Sequence, residues 1–333
     1  MKPFKTIDQQ IDILKSRNMK FHDEESAKYM LSNIAYYSLI NGYKRVFCIE
    51  GDNGEDDFQG NYFEDMLQLY DFDKRLSGIL FIYLSRIEET LKNTIAYQIS
   101  NHHGSLEKEY IKESIFKKGD RKYYYNNGVK KYEYDNVKLV KIMKSAIQSD
   151  ETPIVHYKNK HNNVPPWILV KHLSLGNLLM MYKLSNVKIK DNIIENFFRN
   201  DLTIGEKERQ LFSNCFKIIT HYRNKVAHGY RVYNHNCRIE IDKHAVLNYL
   251  DTTFYNEQLY LSGFGKKGLS SVLFSVIIMS SKRNTVRSNF ISEIENLFNN
   301  LKKDNPDLHK KVIDELDFPS DYNDILSYCL WYK

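Results

Sequence analysis

An all-α fold is predicted by three features of the 333-residue chain. Chain breakers are scarce, with 6 Pro and 14 Gly. Apolar residues recur every three or four positions over long stretches, the period of one helix face. Start and stop residues stand where that periodicity begins and ends. A hydrophobic content of 42%, with 25 Tyr and 18 Phe, is enough to fill a substantial core.

The elements follow in order. Residues 6–14 read as a short helix. Residues 23–40 read as a second, opened by Asp23-Glu24-Glu25 and closed by Asn41-Gly42, with Ala27, Met30, Leu31, Ile34 and Tyr37 on its apolar side. Residues 50–61 form an acidic, Gly-containing loop. The longest helical signal covers 74–99, where Leu76, Leu80, Tyr83, Ile87, Leu91 and Ile95 make one stripe. Residues 101–136 read as irregular, basic and Tyr-rich, with His102-His103 as a loop pair. Helices are then expected at 137–148, at 167–175 after Pro165-Pro166, at 177–185 beyond a division at Gly176, and at 191–198. Thr203 and Glu206 read as a capping box for a helix over 204–228. Its stripe is Leu211, Cys215, Ile218, Tyr222 and Val226, and Gly229 offers its stop. Residues 242–260 read as a further helix, and 269–333 as three or four more, punctuated by Pro306 and Pro319.

Composition narrows the function classes. Cys48, Cys215, Cys237 and Cys329 are far apart and form no C-x-x-C, so zinc and redox chemistry have no support. Met1-Lys2-Pro3-Phe4-Lys5 runs into polar sequence rather than a leader's apolar stretch. The most apolar run, Val272 to Met279, is too short for a membrane span and reads as a buried helix or strand. A reduced, cytoplasmic protein away from membranes is the expectation. No P-loop, G-x-G-x-x-G, H-E-x-x-H or G-x-S-x-G occurs, and no cofactor or metal is expected. The formal charge of +6 is unevenly spread. Residues 50–73 carry nine acids, Asp52 and Asp73 among them, and no Lys or Arg. Residues 117–144 carry nine bases against three acids.

The stretch that points to chemistry is His221-Tyr222-Arg223-Asn224-Lys225-Val226-Ala227-His228-Gly229-Tyr230. It contains R-N-x-x-x-H at the end of an amphipathic helix. Chance places R-x-x-x-x-H about 0.4 times in a chain of this composition, and about 0.04 times once Asn must follow Arg. A second match, Arg17-Asn18 with His22, spans the end of one short helix and the loop before the next. Context therefore favours Arg223, Asn224 and His228. On a helix Asn224 and His228 share a face, whereas Arg223 and His228 stand roughly 140° apart around the axis.

Several stretches together resemble the Abi-like family of bacterial abortive-infection proteins, over roughly residues 1–250. These are Ala35-Tyr36-Tyr37-Ser38-Leu39-Ile40-Asn41-Gly42-Tyr43, Tyr70-Asp71-Phe72-Asp73-Lys74-Arg75-Leu76, Arg86-Ile87-Glu88, Pro166-Trp167-Ile168, Leu173-Ser174-Leu175-Gly176, and Tyr222-Arg223-Asn224 with His228. The resemblance implies a HEPN-type helical bundle that dimerises, with Arg and His from each chain in one composite cleft. It implies metal-independent RNA cleavage in antiphage defence, with Arg223, Asn224 and His228 as the catalytic set. It also implies that Tyr230 stands where a partner nucleotidyltransferase adds AMP in one toxin branch. The family often spells Cys-Ala-His-His where this chain has Val226-Ala227-His228-Gly229, so the second His is missing. The expected organisation is an N-terminal helical segment over 1–65, a HEPN-type core over 66–260 with its basic insert at 101–136, and a C-terminal helical extension over 261–333.

In that chemistry the ribose 2′-hydroxyl attacks phosphorus and leaves a 2′,3′-cyclic phosphate. His228 moves the proton and Arg223 steadies the oxyanion. Glu88 is the expected ion-pair partner of Arg223; the purely structural alternative is that Arg223 only pairs with such a carboxylate and His228 merely caps its helix. One His per chain lacks an acid for the leaving group, which a two-fold dimer would supply. Lys117, Lys118, Arg121, Lys122, Lys130 and Lys131 are candidate phosphate contacts, with Tyr124 and its neighbours available to stack on unpaired bases. Lys188, Lys190 and Arg199 are secondary candidates for the same surface. Two other readings stand beside the nuclease. One is an RNA sensor or scaffold that holds a cognate structured non-coding RNA. The other is a toxin silenced by a protein antitoxin acting on Tyr230.

Overall fold

The computed structural model describes residues 3–51 and 54–330. Met1, Lys2 and Asp52 of the sequence reading lie outside them. Helices dominate, so the chain is an all-α helical bundle protein. In order they are α1 (Ile7–Ser16), α2 (Glu24–Asn33), α3 (Phe63–His103), α4 (Glu107–Tyr110), α5 (Asp135–Ile147), α6 (Ile154–His161), α7 (Pro166–Leu169), α8 (Leu175–Leu184), α9 (Val187–Ile194) and α10 (Glu206–Ala227). There follow α11 (Lys243–Tyr249), α12 (Glu257–Ser262), α13 (Gly268–Met279), α14 (Asn284–Asp304), α15 (Pro306–Glu315) and α16 (Tyr322–Tyr328). Two small antiparallel ladders interrupt them: β1 (Ile49–Glu50) with β2 (Asp56–Asp57), and β3 (Arg121–Asn126) with β4 (Val129–Tyr134).

Two compact units make up the chain, and neither is a single stretch. One comprises 1–80, 225–235 and 292–322; the other comprises 81–224, 236–291 and 323–333. The consecutive segments 1–65, 66–260 and 261–333 do not coincide with them. The long helices α3, α10 and α14 each give residues to both units.

The first unit is built on aromatic packing. Phe298 meets Phe72 at 5.1 Å and Tyr322 at 5.4 Å between ring centroids. Asn305 caps α15 through the Leu308 N–H and donates to Asp65 at 2.7 Å. The second unit is centred on α13, every residue of which from Leu269 to Met279 is buried. A helix that is apolar all round belongs inside a core, which resolves the ambiguous run at 272–279 as helix. Rings gather around it: Tyr255 and Phe264 lie 4.9 and 5.5 Å from Phe274. Among the described residues no helix is long and apolar enough to cross a membrane.

Several expected boundaries move. The helix expected over 23–40 ends at Asn33. There Ser32 and Asn33 donate their side chains to the Tyr29 carbonyl at 2.6 and 2.8 Å, competing with the helix's own bonds, and Ile34 turns extended. The division expected at Gly176 falls at Leu173 instead. Ser174 caps α8 by accepting from the Asn177 N–H, and Gly176 lies inside the helix. The cap of α10 is not Thr203 with Glu206; the Glu208 carboxylate accepts the Gly205 N–H at 2.9 Å. The span 242–260 is two helices, because Asp251 accepts the Thr253 N–H in a turn and Asn256 starts α12. His102 and His103 are not loop residues but the last two of α3. The insert at 101–136 is not irregular throughout. Its centre is a hairpin turned by Asn127 and Gly128, both at positive φ (49° and 77°), the geometry of a type I′ turn.

Candidate functional site

The R-N-x-x-x-H stretch sits where α10 ends, and its stripe behaves as the spacing predicts. Leu211, Cys215, Ile218, Tyr222 and Val226 are all buried. Arg223 and Asn224 belong to the second unit, His228 and Tyr230 to the first.

In the second unit Arg223 is half-buried and meets Glu88 of α3. Its Nε donates to Glu88 Oε2 at 2.6 Å, and a terminal nitrogen reaches Oε1 at 3.5 Å. Lys92, one turn further along α3, reaches the same carboxylate at 2.9 Å. Glu88 is only 7% exposed. A carboxylate this buried requires a partner, and it has two. One negative charge therefore holds two cations, and the cluster keeps a net positive charge. The expected Arg223–Glu88 pair is present. Because Glu88 takes Arg223 mainly by its Nε edge, the fork retains donors for a phosphate.

Arg223, Asn224, Glu88 and Lys92 line a cleft of about 650 Å³ together with Lys171 and His172. The His172 side chain is 12% exposed, its Nδ1 stands 3.5 Å from Glu151, and its buried Nε2 has no hydrogen-bond partner among the described residues. Lys171 and His172 were missed by sequence reasoning. They lie in one turn of 3₁₀ helix between α7 and α8, where no apolar period marks a face. The only available signal was that two stretches of the family resemblance, 166–168 and 173–176, flank them.

In the first unit α10 closes with a Schellman motif. The Tyr230 N–H reaches the Lys225 carbonyl and the Gly229 N–H reaches that of Val226, each at 3.1 Å. Gly229 adopts φ +69°, and His228 is the exposed C-cap residue before it. Lys74 Nζ donates to the Gly229 carbonyl at 3.0 Å. Tyr230 is 57% exposed, with Lys225 4.6 Å from its ring centroid. A Cβ built on Gly229 meets nothing within 4 Å. Gly229→Ala should therefore destabilise the protein through backbone strain alone, by about 1–2 kcal/mol. Urea denaturation measures this, and Gly229→Asn should lose less.

Beyond the cap, Asp73 anchors the chain. It is fully buried and accepts from the Val232 and Tyr233 N–H groups at 3.0 and 2.7 Å and from the Tyr43 hydroxyl at 2.7 Å. Burial pushes its carboxyl above the ordinary carboxylate range, although those three donors act the other way. In the sequence Asp73 is one of nine acids in the 50–73 run and part of the resembling stretch Tyr70 to Leu76, and neither names its partners.

The second R-N-x-x-x-H is occupied structurally. Arg17 caps α1 and lies 3.7 Å from both Glu55 and Asp56, while the His22 ring stacks on Tyr62 at 3.8 Å. Of the basic set, Arg121, Lys122 and Tyr124 lie on β3, Lys130 and Lys131 on β4, and Lys117 and Lys118 just before the hairpin. Lys122 pairs with Asp135 at 3.0 Å. Among the secondary candidates, Lys190 lies 5.7 Å from the Tyr182 ring and Arg199 3.4 Å from Asp201.

Searches of curated proteins and of solved structures return no match to the chain. A family model described as Abi-like protein matches residues 29–234. That span contains Tyr43, Asp73, Glu88, Arg223 and His228 and exceeds half of the sequence, so the chain belongs to the Abi-like protein family.

Proposed function

We propose that the protein is a metal-independent endoribonuclease of the HEPN type, and that it acts as a dimer in antiphage defence. Membership of the Abi-like family suggests the defence role. The observation that carries the chemistry is an arginine set on a buried carboxylate in a cationic cleft, five residues ahead of an exposed histidine at a helix C-terminus. Arg223 and Lys92 offer positive charge to a phosphate, and Glu88 orients the guanidinium. His228 is exposed at the helix C-terminus, and an imidazole is the side chain most often used for proton transfer, which suits it to that role. Asn224, which lines the same cleft as Arg223, is the third member of the proposed set. A second copy would supply the second His228.

Purified protein should cleave RNA with EDTA present and leave 2′,3′-cyclic phosphate and 5′-hydroxyl ends. A strict need for a divalent metal would overturn the assignment and favour the reading as an RNA scaffold. Sedimentation should show a dimer at micromolar concentration. The toxin reading has one observation in its favour, the exposed Tyr230 hydroxyphenyl beside the cap. Adenylylation of Tyr230 by a partner nucleotidyltransferase, with loss of cleavage, is what that reading requires.

A further inference from the structure

We propose that one face of the β3–β4 hairpin is a platform for unpaired RNA, which specifies the form of substrate that the protein engages. The inference rests on the RNA reading above and adds to it which strand state is bound and by which side chains.

Alternation along a strand sorts the hairpin into two faces. With Tyr123 opposite Tyr132, Tyr125 opposite Lys130 and Arg121 opposite Tyr134, these six side chains share one face. It holds four tyrosines, one arginine, one lysine and no carboxylate. The other face holds Lys122, Tyr124 and Lys131 with Glu133, and it is tied down by charge. Lys122 pairs with Asp135, and Glu133 pairs with Lys141 of α5. Glu133 and Asp135 are thus engaged with the second face, and the first is left cationic and aromatic.

Its tyrosines are open to solvent: Tyr123 is 59% exposed, Tyr125 68%, Tyr132 53% and Tyr134 38%. Four large rings at such exposure are not core residues. The cations stand over the rings. Lys130 lies 4.2 Å from the Tyr123 centroid and 5.5 Å from that of Tyr132, and Arg121 lies 4.7 Å from that of Tyr132. Lys118, before the hairpin, lies 5.6 Å from Tyr134. Tyr123 and Tyr134 each have one cation by the ring and Tyr132 has two, while Tyr123 also meets Tyr125 edge-on at 6.1 Å, and all four rings stay exposed. Rings that stack on bases beside cations that meet phosphates are what a single strand requires. A duplex hides its bases and offers only phosphates and grooves to such a surface. A protein partner would match the charge only with an acidic surface, and it would leave the four-ring array unexplained. Of the expected hairpin contacts Arg121, Lys122, Tyr124, Lys130 and Lys131, this face keeps Arg121 and Lys130, leaves out Lys122, Tyr124 and Lys131, and adds Tyr123, Tyr125, Tyr132 and Tyr134.

The test compares an unstructured polyuridine oligonucleotide with an RNA duplex of equal length, by fluorescence anisotropy with the full chain. Wild type should bind the single strand more tightly. Tyr123→Ala with Tyr132→Ala should weaken that binding on the order of 100-fold, since each stacked ring contributes on the order of ten-fold, with little change towards the duplex. Tyr97→Ala, an exposed tyrosine on α3, should bind like wild type. Circular dichroism should show helicity retained in every variant. Tighter binding of the duplex, or single-strand binding unchanged in the double variant, would overturn the platform. So would a dimer that becomes monomeric in the double variant with RNA affinity intact, which would assign the face to a second copy. The ribonuclease reading fails separately: tyrosine-dependent binding by a protein that never cleaves would leave the platform standing without the nuclease.

Discussion

Replacing His228 with alanine is expected to slow RNA cleavage by about 10²- to 10⁴-fold, the usual contribution of a positioned proton-transfer group. RNA affinity should change little, because the imidazole moves protons rather than holding phosphate. The fold should survive, since His228 is exposed and the cap around it is made by backbone groups of Lys225, Val226, Gly229 and Tyr230. Arg223→Ala should lower cleavage by about 10²- to 10³-fold, as for the loss of one oxyanion donor, and should also weaken binding. Glu88 keeps Lys92 at 2.9 Å in that variant, so its charge is not stranded. Asn224→Ala should be milder. Arg17→Ala and His22→Ala give the internal control and should cleave like wild type, because those side chains serve the ion pairs and ring stack of the first unit. Single-turnover cleavage of labelled RNA reads all five. Cleavage by His228→Ala at the wild-type rate would remove the proposed chemistry.

The second large effect is expected at Asp73. Alanine there leaves two backbone N–H groups and the Tyr43 hydroxyl without their acceptor in a buried site. Each stranded donor costs about 1–3 kcal/mol, so the loss should be on the order of 3–5 kcal/mol. Asp73→Asn should recover most of it, because an amide oxygen still accepts and its NH₂ can donate to the tyrosine. The pH dependence separates the two roles of the carboxyl. Its folded pKa is raised by burial. The folded state therefore binds the proton more tightly than the unfolded chain does. The associated stability is present below the unfolded carboxylate pKa and is lost as pH rises through the folded value. The wild-type protein should thus lose stability relative to Asp73→Asn across that window, as measured by urea denaturation at a series of pH values. A wild-type protein that instead gains stability over Asp73→Asn as pH rises would show that the three donors outweigh burial.

The clamp at Asp73 also bears on the proposed site. It fixes Val232 and Tyr233, while Lys74 holds the Gly229 carbonyl, so residues 228–233 are tied at both ends within their unit. Asp73→Asn is then the variant in which cleavage and stability can be compared without a large loss of folded protein.

What the sequence determined by itself was the set of features written in local chemistry. The helical class, the buried stripe of α10, its stop at Gly229 and the helical character of the tail all follow from period, caps and breakers. These depend on neighbours three or four residues away, which a sequence displays directly. The ion pair of Glu88 with Arg223 was legible because both lie on long amphipathic helices and each needs an opposite charge when buried. Asn127-Gly128 carried the local signal for the hairpin. The strands themselves were masked because tyrosines and lysines occupy both faces and leave no alternation of apolar with polar.

Tertiary structure decided the rest, and the reason is sequence separation. Asp73 accepts from residues about 160 positions away, which no local pattern encodes. His172 joins the Arg223 cleft through a turn of 3₁₀ helix without a face of its own. The two units alternate along the chain, because helices as long as the 41-residue α3 pass from one to the other, whereas periodicity reports only where such a helix begins and ends. Which face of the hairpin is cationic was decided by cross-strand register and by the ion pairs of Lys122 with Asp135 and Lys141 with Glu133. Composition counts those charges but cannot assign them to sides.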